Sequence, residues 1–238
     1  MNIVNPFGGK IFFKPETAST MEDAKLHLSH GAIFLTDKQT EGKCRNPQET
    51  WQSTNKDITF TLSLHKSKTP MHAPLSLLIG LAIARFFQQL PLSPVTIKWP
   101  NDILIQEKKI SGILTQEYEG FYLVGIGINI EKKDHINILF KKQIFPAVGL
   151  EEIFPNLTHT KTEIIDNLLQ ELHQTLTIIQ WQDAFNKLLY KPNHPITYQV
   201  GDKYIEGKIL SVNKDGALLV KTLEGTITPL YAGEVVRR

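Results

Sequence analysis

The chain holds a single cysteine, Cys44. One thiol excludes an intrachain disulfide framework and suits a reducing cytoplasm. Long apolar runs are lacking: none approaches the roughly 20 residues of a membrane span. The N-terminus lacks the charged-then-apolar pattern of a secretion signal. Neither sign of charge dominates. Twenty-six Lys and Arg face 24 Asp and Glu, a net of +2, which does not mark a nucleic-acid binder by bulk charge. The eight histidines are scattered, with no His-Glu-x-x-His or Cys/His cluster, so a structural zinc site is not expected. Gly-x-Ser-x-Gly and P-loop strings are missing, and with them the common hydrolase and P-loop nucleotide readings. Internal repeats and low-complexity tracts are also absent.

What is present is ordinary in bulk: 238 residues, 41% hydrophobic and 21% charged, enough for one large domain or a large and a small one. Residues 96–130 are the informative stretch. They read T-I-K-W-P-N-D-I-L-I, then K-K-I-S-G-I-L-T-Q, then F-Y-L-V-G-I-G-I-N-I. Breaks at Pro100-Asn101-Asp102, Gln106-Glu107-Lys108 and Tyr118-Glu119-Gly120 predict an antiparallel meander of β-branched strands. In the last run Tyr122, Val124, Ile126, Ile128 and Ile130 share a bulky, buried face. Phe121, Leu123, Gly125, Gly127 and Asn129 share the other. Two glycines and an amide leave sheet backbone bare, open to a ligand or relieving crowding against other side chains. Lys109, at the start of the neighbouring strand, brings positive charge to that patch.

The three strings K-W-P-N-D-I, K-I-S-G-I-L and G-I-G-I-N, in this order within 35 residues, resemble the core signature of biotin protein ligases. Those enzymes attach biotin to a lysine of carboxylase carrier domains. The resemblance extends over nearly the whole chain.

Along the chain, strands are predicted at Ile11–Phe13, Gly31–Thr36 and Ile58–Leu64. A helix starts at Ser19 or Thr20, with Glu22 and Asp23 in its first turn. A plain N-cap accounts for the Ser-Thr pair. The resemblance implies instead that Ser19 and Thr20 hydrogen-bond biotin, with Met21 departing from the usual Asn. Residues 37–51 are polar, cationic in the middle and closed by Trp51, a length of loop that is usually functional or disordered. By resemblance this loop wraps biotin and its adenylate. Gln39, Gly42 and Arg45 match, Lys43 replaces an Arg, and Cys44 replaces a Gly. The Pro47–Thr50 segment is one residue longer than expected. A core helix is predicted at His72–Leu90, a short helix within Phe145–Phe154, a helix with the face Ile164 to Ile179, and another at Trp181–Tyr190. The last 45 or so residues shift to short strands, 196–200, 203–212, 217–222 and 225–231, separated by Gly-containing turns. They resemble the SH3-like C-terminal domain of many bacterial biotin ligases.

The expected fold is α+β: a mixed or antiparallel sheet backed by helices over residues 1–191, then a small β-barrel over 192–238. Because the first strand begins near residue 11, the N-terminal helix-turn-helix domain of bifunctional relatives is not expected, nor is DNA binding.

The resemblance implies two-step chemistry. Biotin's carboxylate attacks the α-phosphate of ATP to give biotinyl-5′-AMP, and the acceptor lysine then displaces AMP. It assigns catalysis to Lys109, Arg45 and Asp102, the last either orienting the acceptor lysine or only capping its turn. Biotin binding is assigned to Ser19, Thr20, Gln39, Gly42, Lys43, Cys44, Arg45, Lys109, Gly112, Gly125 and Gly127. ATP binding is assigned to Lys43, Arg45, Trp51, Asn101, Lys109 and Asn129. Magnesium accompanies ATP on phosphates and water, with no protein cage. Expected partners are biotin, ATP and the biotin carboxyl carrier domain of acetyl-CoA carboxylase, without DNA or membrane, and with homodimerisation left open. Three rivals stand beside this reading: a lipoate or octanoate ligase of the same fold, a non-catalytic biotin- or adenylate-binding relative, and a nucleic-acid module built on the C-terminal strands.

Overall fold

The structure, a computed structural model, describes residues 3–47, 50–51, 53–69, 71, 73–90, 94–133, 145–201 and 203–237. Its centre is a seven-stranded sheet in the order β1-β2-β5-β9-β8-β7-β6. The strands are β1 (Ile11–Thr17), β2 (Ala32–Gln39), β5 (Ile58–His65), β6 (Val95–Lys98), β7 (Asp102–Ile105), β8 (Lys108–Tyr118) and β9 (Phe121–Ile128). β1 and β2 run parallel, joined by a crossover containing α1 (Thr20–Leu26). All other neighbours are antiparallel, so the sheet is mixed. The predicted meander is β6-β7-β8-β9 in consecutive order.

The two faces of β9 divide as the alternation requires. Val124, Ile126 and Ile128 enter the main core with α2 (Leu75–Gln88), a helix apolar nearly all round and buried between the sheet and α4 (Lys161–Thr175). On the other face Leu123 joins Met21, Ala24, Ala32 and Phe34 beneath α1. The predicted helix start at His72 lies outside the described residues.

α4 opens on a capping box. Thr160 Oγ1 accepts from Glu163 N, and the Glu163 carboxylate accepts from Thr160 N and Oγ1. It ends at Thr175, earlier than the apolar spacing predicts. Leu176 is its C-cap and Ile179 lies beyond it, 75% exposed. The short helices α3 (Leu150–Ile153) and α5 (Trp181–Leu188) fall where expected. Residues 37–51 are not structureless: Gly42–Lys43 (β3) and Thr50–Trp51 (β4) form a small hairpin.

A buried ion pair ties the exit of β9 to the turn before β5. Asp57 and Lys133 are both fully buried and paired. Asp57 also accepts from the backbone N–H groups of Thr54, Ile130 and Glu131.

The C-terminal unit is a five-stranded antiparallel sheet in the order β13-β12-β11-β10-β14. Its strands are β10 (Pro195–Val200), β11 (Lys203–Val212), β12 (Leu218–Thr222), β13 (Ile227–Leu230) and β14 (Glu234–Arg237). β14 adds a strand beyond the four predicted, and the order leaves β13 and β14 at its two edges. The unit docks through Gly216, whose carbonyl accepts from Trp99 Nε1 at 3.0 Å. A Cβ at Gly216 would stand 2.3 Å from Pro74 Cγ, so only glycine permits this approach. Asn186 adds bonds to both backbone groups of Val212.

Candidate active site

The floor of the site is the glycine strip of β8 and β9, where Gly112 pairs directly with Gly127. The strip is not bare. The indole of Trp51, carried by the β3–β4 hairpin, lies on it. A Cβ on Gly127 would stand 2.3 Å from Trp51 Cζ2, and one on Gly112 would stand 3.1 Å from Cζ3. Gly42 makes the hairpin possible, since a Cβ there would meet the Trp51 carbonyl oxygen at 2.5 Å. Gly42 thus lies behind the cleft rather than lining it. Farther along, Met21 Cε lies 3.1 Å from where a Gly125 Cβ would be. Met21 is buried, presenting a thioether where the resemblance expects an amide.

Two buried polar atoms beside the strip have no hydrogen-bond partner: Trp51 Nε1 and Thr59 Oγ1. Thr59 pairs with Gly127 across β5–β9. Orphaned buried groups are rare in folded proteins, and a ligand in the cleft satisfies such groups. Thr59 and Thr61 were missed from the sequence, although the I-T-F-T-L-S-L alternation of β5 signals a polar face.

One wall is a side-chain network at the start of α1. Thr20 donates through both N and Oγ1 to Gln39 Oε1, at 2.8 and 3.0 Å. A backbone N–H only donates, so the oxygen of the Gln39 amide must face Thr20 and the Nε2 end is turned away from it. Thr20 Oγ1 also meets Thr61 Oγ1 at 2.9 Å. Ser19 occupies the N-cap position but makes no side-chain capping bond. A plain N-cap therefore does not account for the Ser19 hydroxyl, and the Thr20 hydroxyl is engaged by Gln39 and Thr61.

The cationic wall is Lys109. Its placement depends on a β-bulge: Ile103 pairs with Ser111 but Leu104 pairs with Lys109, leaving Ile110 as the extra residue. Strict alternation would put Lys109 on the face opposite Gly112. The bulge reverses the parity and brings Lys109 Cε within 3.2 Å of the Gly112 Cβ position. Asn129 Nδ2 donates to the Lys109 carbonyl at 3.2 Å. Asn129 is a strut behind the site and does not line the cleft. Asn101 does line it, fixed by Nδ2 donating to the Ile113 carbonyl at 3.0 Å.

Asp102 stands behind Lys109, its Oδ1 at 2.8 Å from Lys109 Nζ and its Oδ2 at 3.2 Å from Lys98 Nζ. Burial alone would raise its pKa, but Lys109 and Lys98 outweigh that and hold it down at about 2.

The loop cations line the cleft mouth with Cys44 but point elsewhere. Lys43 pairs with Glu22. Lys43, and then Lys25, hold the Glu22 carboxyl below its ordinary value. Arg45 Nη2 donates to the Gly233 carbonyl at 2.9 Å, linking the loop to the C-terminal unit. The cleft is half open, and its free volume is only about 50 Å³. Among the described residues, no group of three or more His, Cys, Asp or Glu is placed to hold a metal.

Residues 193–238 match the biotin protein ligase C-terminal domain. The bifunctional ligase/repressor BirA of Escherichia coli is 27% identical over 247 residues, covering 97% of this chain and 75% of that protein. The biotin–[acetyl-CoA-carboxylase] ligase of Mycobacterium tuberculosis is 26% identical over 71% of this chain and 64% of that protein. The structure of the Aquifex aeolicus biotin protein ligase in complex with biotin and ATP superposes with a TM-score of 0.83 at 25% identity. It covers 98% of this chain and 99% of that one. Residues 11–132, just over half of the 238, match the biotin/lipoate A/B protein ligase family, and the chain belongs to it.

Proposed function

We propose that this protein is an ATP-dependent biotin ligase. It activates biotin as biotinyl-5′-AMP and transfers it to a lysine of a carrier protein, the natural one being the biotin carboxyl carrier domain of acetyl-CoA carboxylase. The observation carrying this reading is one cleft that combines a glycine floor, a Thr20–Gln39–Thr61 wall and the Lys109 cation.

Each part answers a chemical need. A carboxylate oxygen is a poor leaving group, so amide formation requires activation. The biotin carboxylate oxygen attacks the α-phosphorus of ATP and pyrophosphate leaves. Two anions meet in that step, and Lys109 stabilises the charge developing between them. Arg45 joins it once released from Gly233, with Lys43 as a second loop cation. ATP enters as its magnesium complex, the ion held by phosphate oxygens and water. The ring system of biotin lies on the glycine strip, with Ser19, Thr20 and Gln39 reaching its ureido group.

A cavity of about 50 Å³ holds no such ligand, as small-molecule sites run to several hundred Å³. The Trp51 hairpin therefore shifts on binding, and its indole moves from the strip to the adenine. In the second step the acceptor lysine nitrogen attacks the mixed-anhydride carbonyl carbon and AMP leaves. With a pKa of about 2, Asp102 is too weak a base to deprotonate that lysine at neutral pH. Its charge attracts the incoming ammonium, which gives its proton to solvent before the neutral nitrogen attacks. Residues 1–191 carry this chemistry and 192–238 form the accessory unit. The cytoplasm is the proposed setting.

The test is transfer. Purified protein, biotin and magnesium–ATP are incubated with a purified biotin carboxyl carrier domain, and the carrier is weighed by mass spectrometry. One added biotinyl group, absent when the acceptor lysine is replaced by arginine, supports the reading. An unmodified carrier alongside measurable biotin binding overturns it.

A further inference from the structure

The register of the sheet sets three residues side by side beneath the Trp51 indole. Thr59 on β5 pairs with Gly127 on β9, and Gly127 pairs with Gly112 on β8. Directly paired residues of antiparallel strands share a face, so the Thr59 side chain stands at one side of the glycine strip. Lys109 stands at the other, its Cε and Nζ 3.2 and 3.4 Å from the Gly112 Cβ position.

Thr59 is 3% exposed and lines the cleft, yet among the described residues none pairs with its Oγ1. The other unpaired atom of the cleft, Trp51 Nε1, lies 2.9 Å from the Gly127 Cβ position. Both therefore flank the same residue. Packing does not explain the Thr59 hydroxyl. Valine has nearly the same shape, suits a strand equally and buries no polar atom.

Neighbouring strands lie about 4.8 Å apart, so Thr59 and Gly112 are separated by roughly 10 Å. A carboxylate between them, with a charge-assisted hydrogen bond of about 2.7 Å to each side, spans most of that gap. The polar wall stands one step deeper. Thr61 pairs with Gly125 and lies two residues along β5, about 7 Å away. The aliphatic chain of biotin, from ring to carboxylate, has that reach.

We propose that Thr59 is a further substrate-binding residue, whose hydroxyl donates to the biotin carboxylate once the indole has withdrawn. This rests on the biotin ligase reading and deepens it. One carboxylate oxygen attacks the α-phosphorus, and Thr59 holds the other. The held oxygen becomes the carbonyl oxygen of the mixed anhydride. In transfer the lysine nitrogen adds to the carbonyl carbon, the π electron pair moves onto that oxygen, and Thr59 donates to the oxyanion. The pair returns as the bond to AMP breaks, and the nitrogen loses a proton to solvent.

The test compares Thr59→Val, which keeps the shape and removes the hydroxyl, with Thr59→Ser, which keeps the hydroxyl. Three readouts are taken: the melting temperature of the protein alone, affinity for biotin and for an analogue ending in methyl in place of the carboxylate, and single-turnover transfer from added biotinyl-5′-AMP to the carrier. Thr59→Val should melt at or above the wild-type temperature, since it removes an unpaired buried group. Its affinity for biotin should fall about 10- to 100-fold, the scale of one hydrogen bond to a charged group, while affinity for the methyl-ended analogue is unchanged. Transfer should slow about 100-fold, as loss of one oxyanion donor does. Thr59→Ser should stay within about threefold of wild type in both.

A lowered melting temperature in Thr59→Val shows a structural partner for the hydroxyl and overturns the proposal. Equal weakening toward both ligands, transfer at the wild-type rate, or a serine variant no better than the valine one overturns it too. A wild type that binds biotin but neither exchanges pyrophosphate nor transfers refutes the ligase reading instead. The comparison of biotin with its methyl-ended analogue then still decides the Thr59 contact.

Discussion

Replacing Gly127 by alanine tests the arrangement on which the site is built. Its φ is not in the left-handed region, so alanine fits the backbone. The obstacle is Trp51: the new methyl would lie 2.3 and 2.4 Å from two indole carbons. Ordinary carbon contacts lie near 3.5–4.0 Å, so the ring must retreat by roughly 1 to 1.7 Å. The strip's surface also rises under any ligand. Overpacking of this kind costs about 1–3 kcal/mol, or roughly a 5- to 150-fold loss of affinity. The cost to affinity comes from the raised floor, since the indole has left the strip in the liganded state and its clash with the methyl is confined to the unliganded one. The assays are biotin titration by calorimetry and intrinsic fluorescence. Trp99 and Trp181 are both 3% exposed, so a change in emission reports Trp51. Gly125→Ala is the control: its tight contact would be Met21 Cε at 3.1 Å, the free end of a flexible side chain, with Leu114 at ordinary distances of 3.6 and 3.8 Å. That variant should lose less than about threefold in affinity. Wild-type binding and unchanged fluorescence in Gly127→Ala would refute an indole resting on this strip.

Other consequences follow from the same geometry. Lys109→Ala should slow biotin-dependent pyrophosphate exchange by about 10²-fold or more, as loss of one preorganised charge does, and a wild-type rate would remove Lys109 from the mechanism. Asp57→Ala leaves fully buried Lys133 unpaired and three backbone N–H groups without their acceptor. Breaking a buried pair costs about 3–5 kcal/mol, or roughly 6–20 °C in Tm for a chain of this size. A calorimetric shift under about 2 °C would contradict that role. The Asp102 carboxyl is depressed from 3.8 to about 2, so its stabilisation is complete above about pH 4 and is lost as pH falls toward 2. The stability gap between wild type and Asp102→Asn should be roughly 2 kcal/mol near pH 6 and close as pH drops toward 2. A gap constant with pH in chemical denaturation would show that Asp102 is not held ionised by its lysines.

Much of the fold was legible because period and punctuation agreed. The meander could be read from β-branched runs broken at Pro100, Gln106 and Gly120. The two faces of β9 followed from strict alternation, and α2 followed from its helical spacing. Errors came where a tertiary or local competitor decided. The apolar spacing to Ile179 ran past the true end of α4 at Thr175. β14 was missed because Glu234–Arg237 has too short an apolar run to declare itself.

The site was legible as a set of residues but less so as a geometry. Lys109 and Gly112 are three apart, a spacing that strand parity sends to opposite faces, and only the bulge at Ile110 joins them. Trp51 on the glycine strip, Arg45 at Gly233 and Asn129 behind Lys109 are contacts between distant segments that no local pattern encodes. Lys98 was overlooked because a lysine beginning a tryptophan-proline turn reads as a surface residue. Its burial comes from Phe145, far along the chain.

The most direct test of the account is exchange of labelled pyrophosphate into ATP by the purified protein with magnesium, with and without biotin. The account predicts exchange that requires biotin and is not supported by lipoate. Biotin binding without exchange would contradict it, and would make the protein a carrier of the ligand rather than a catalyst.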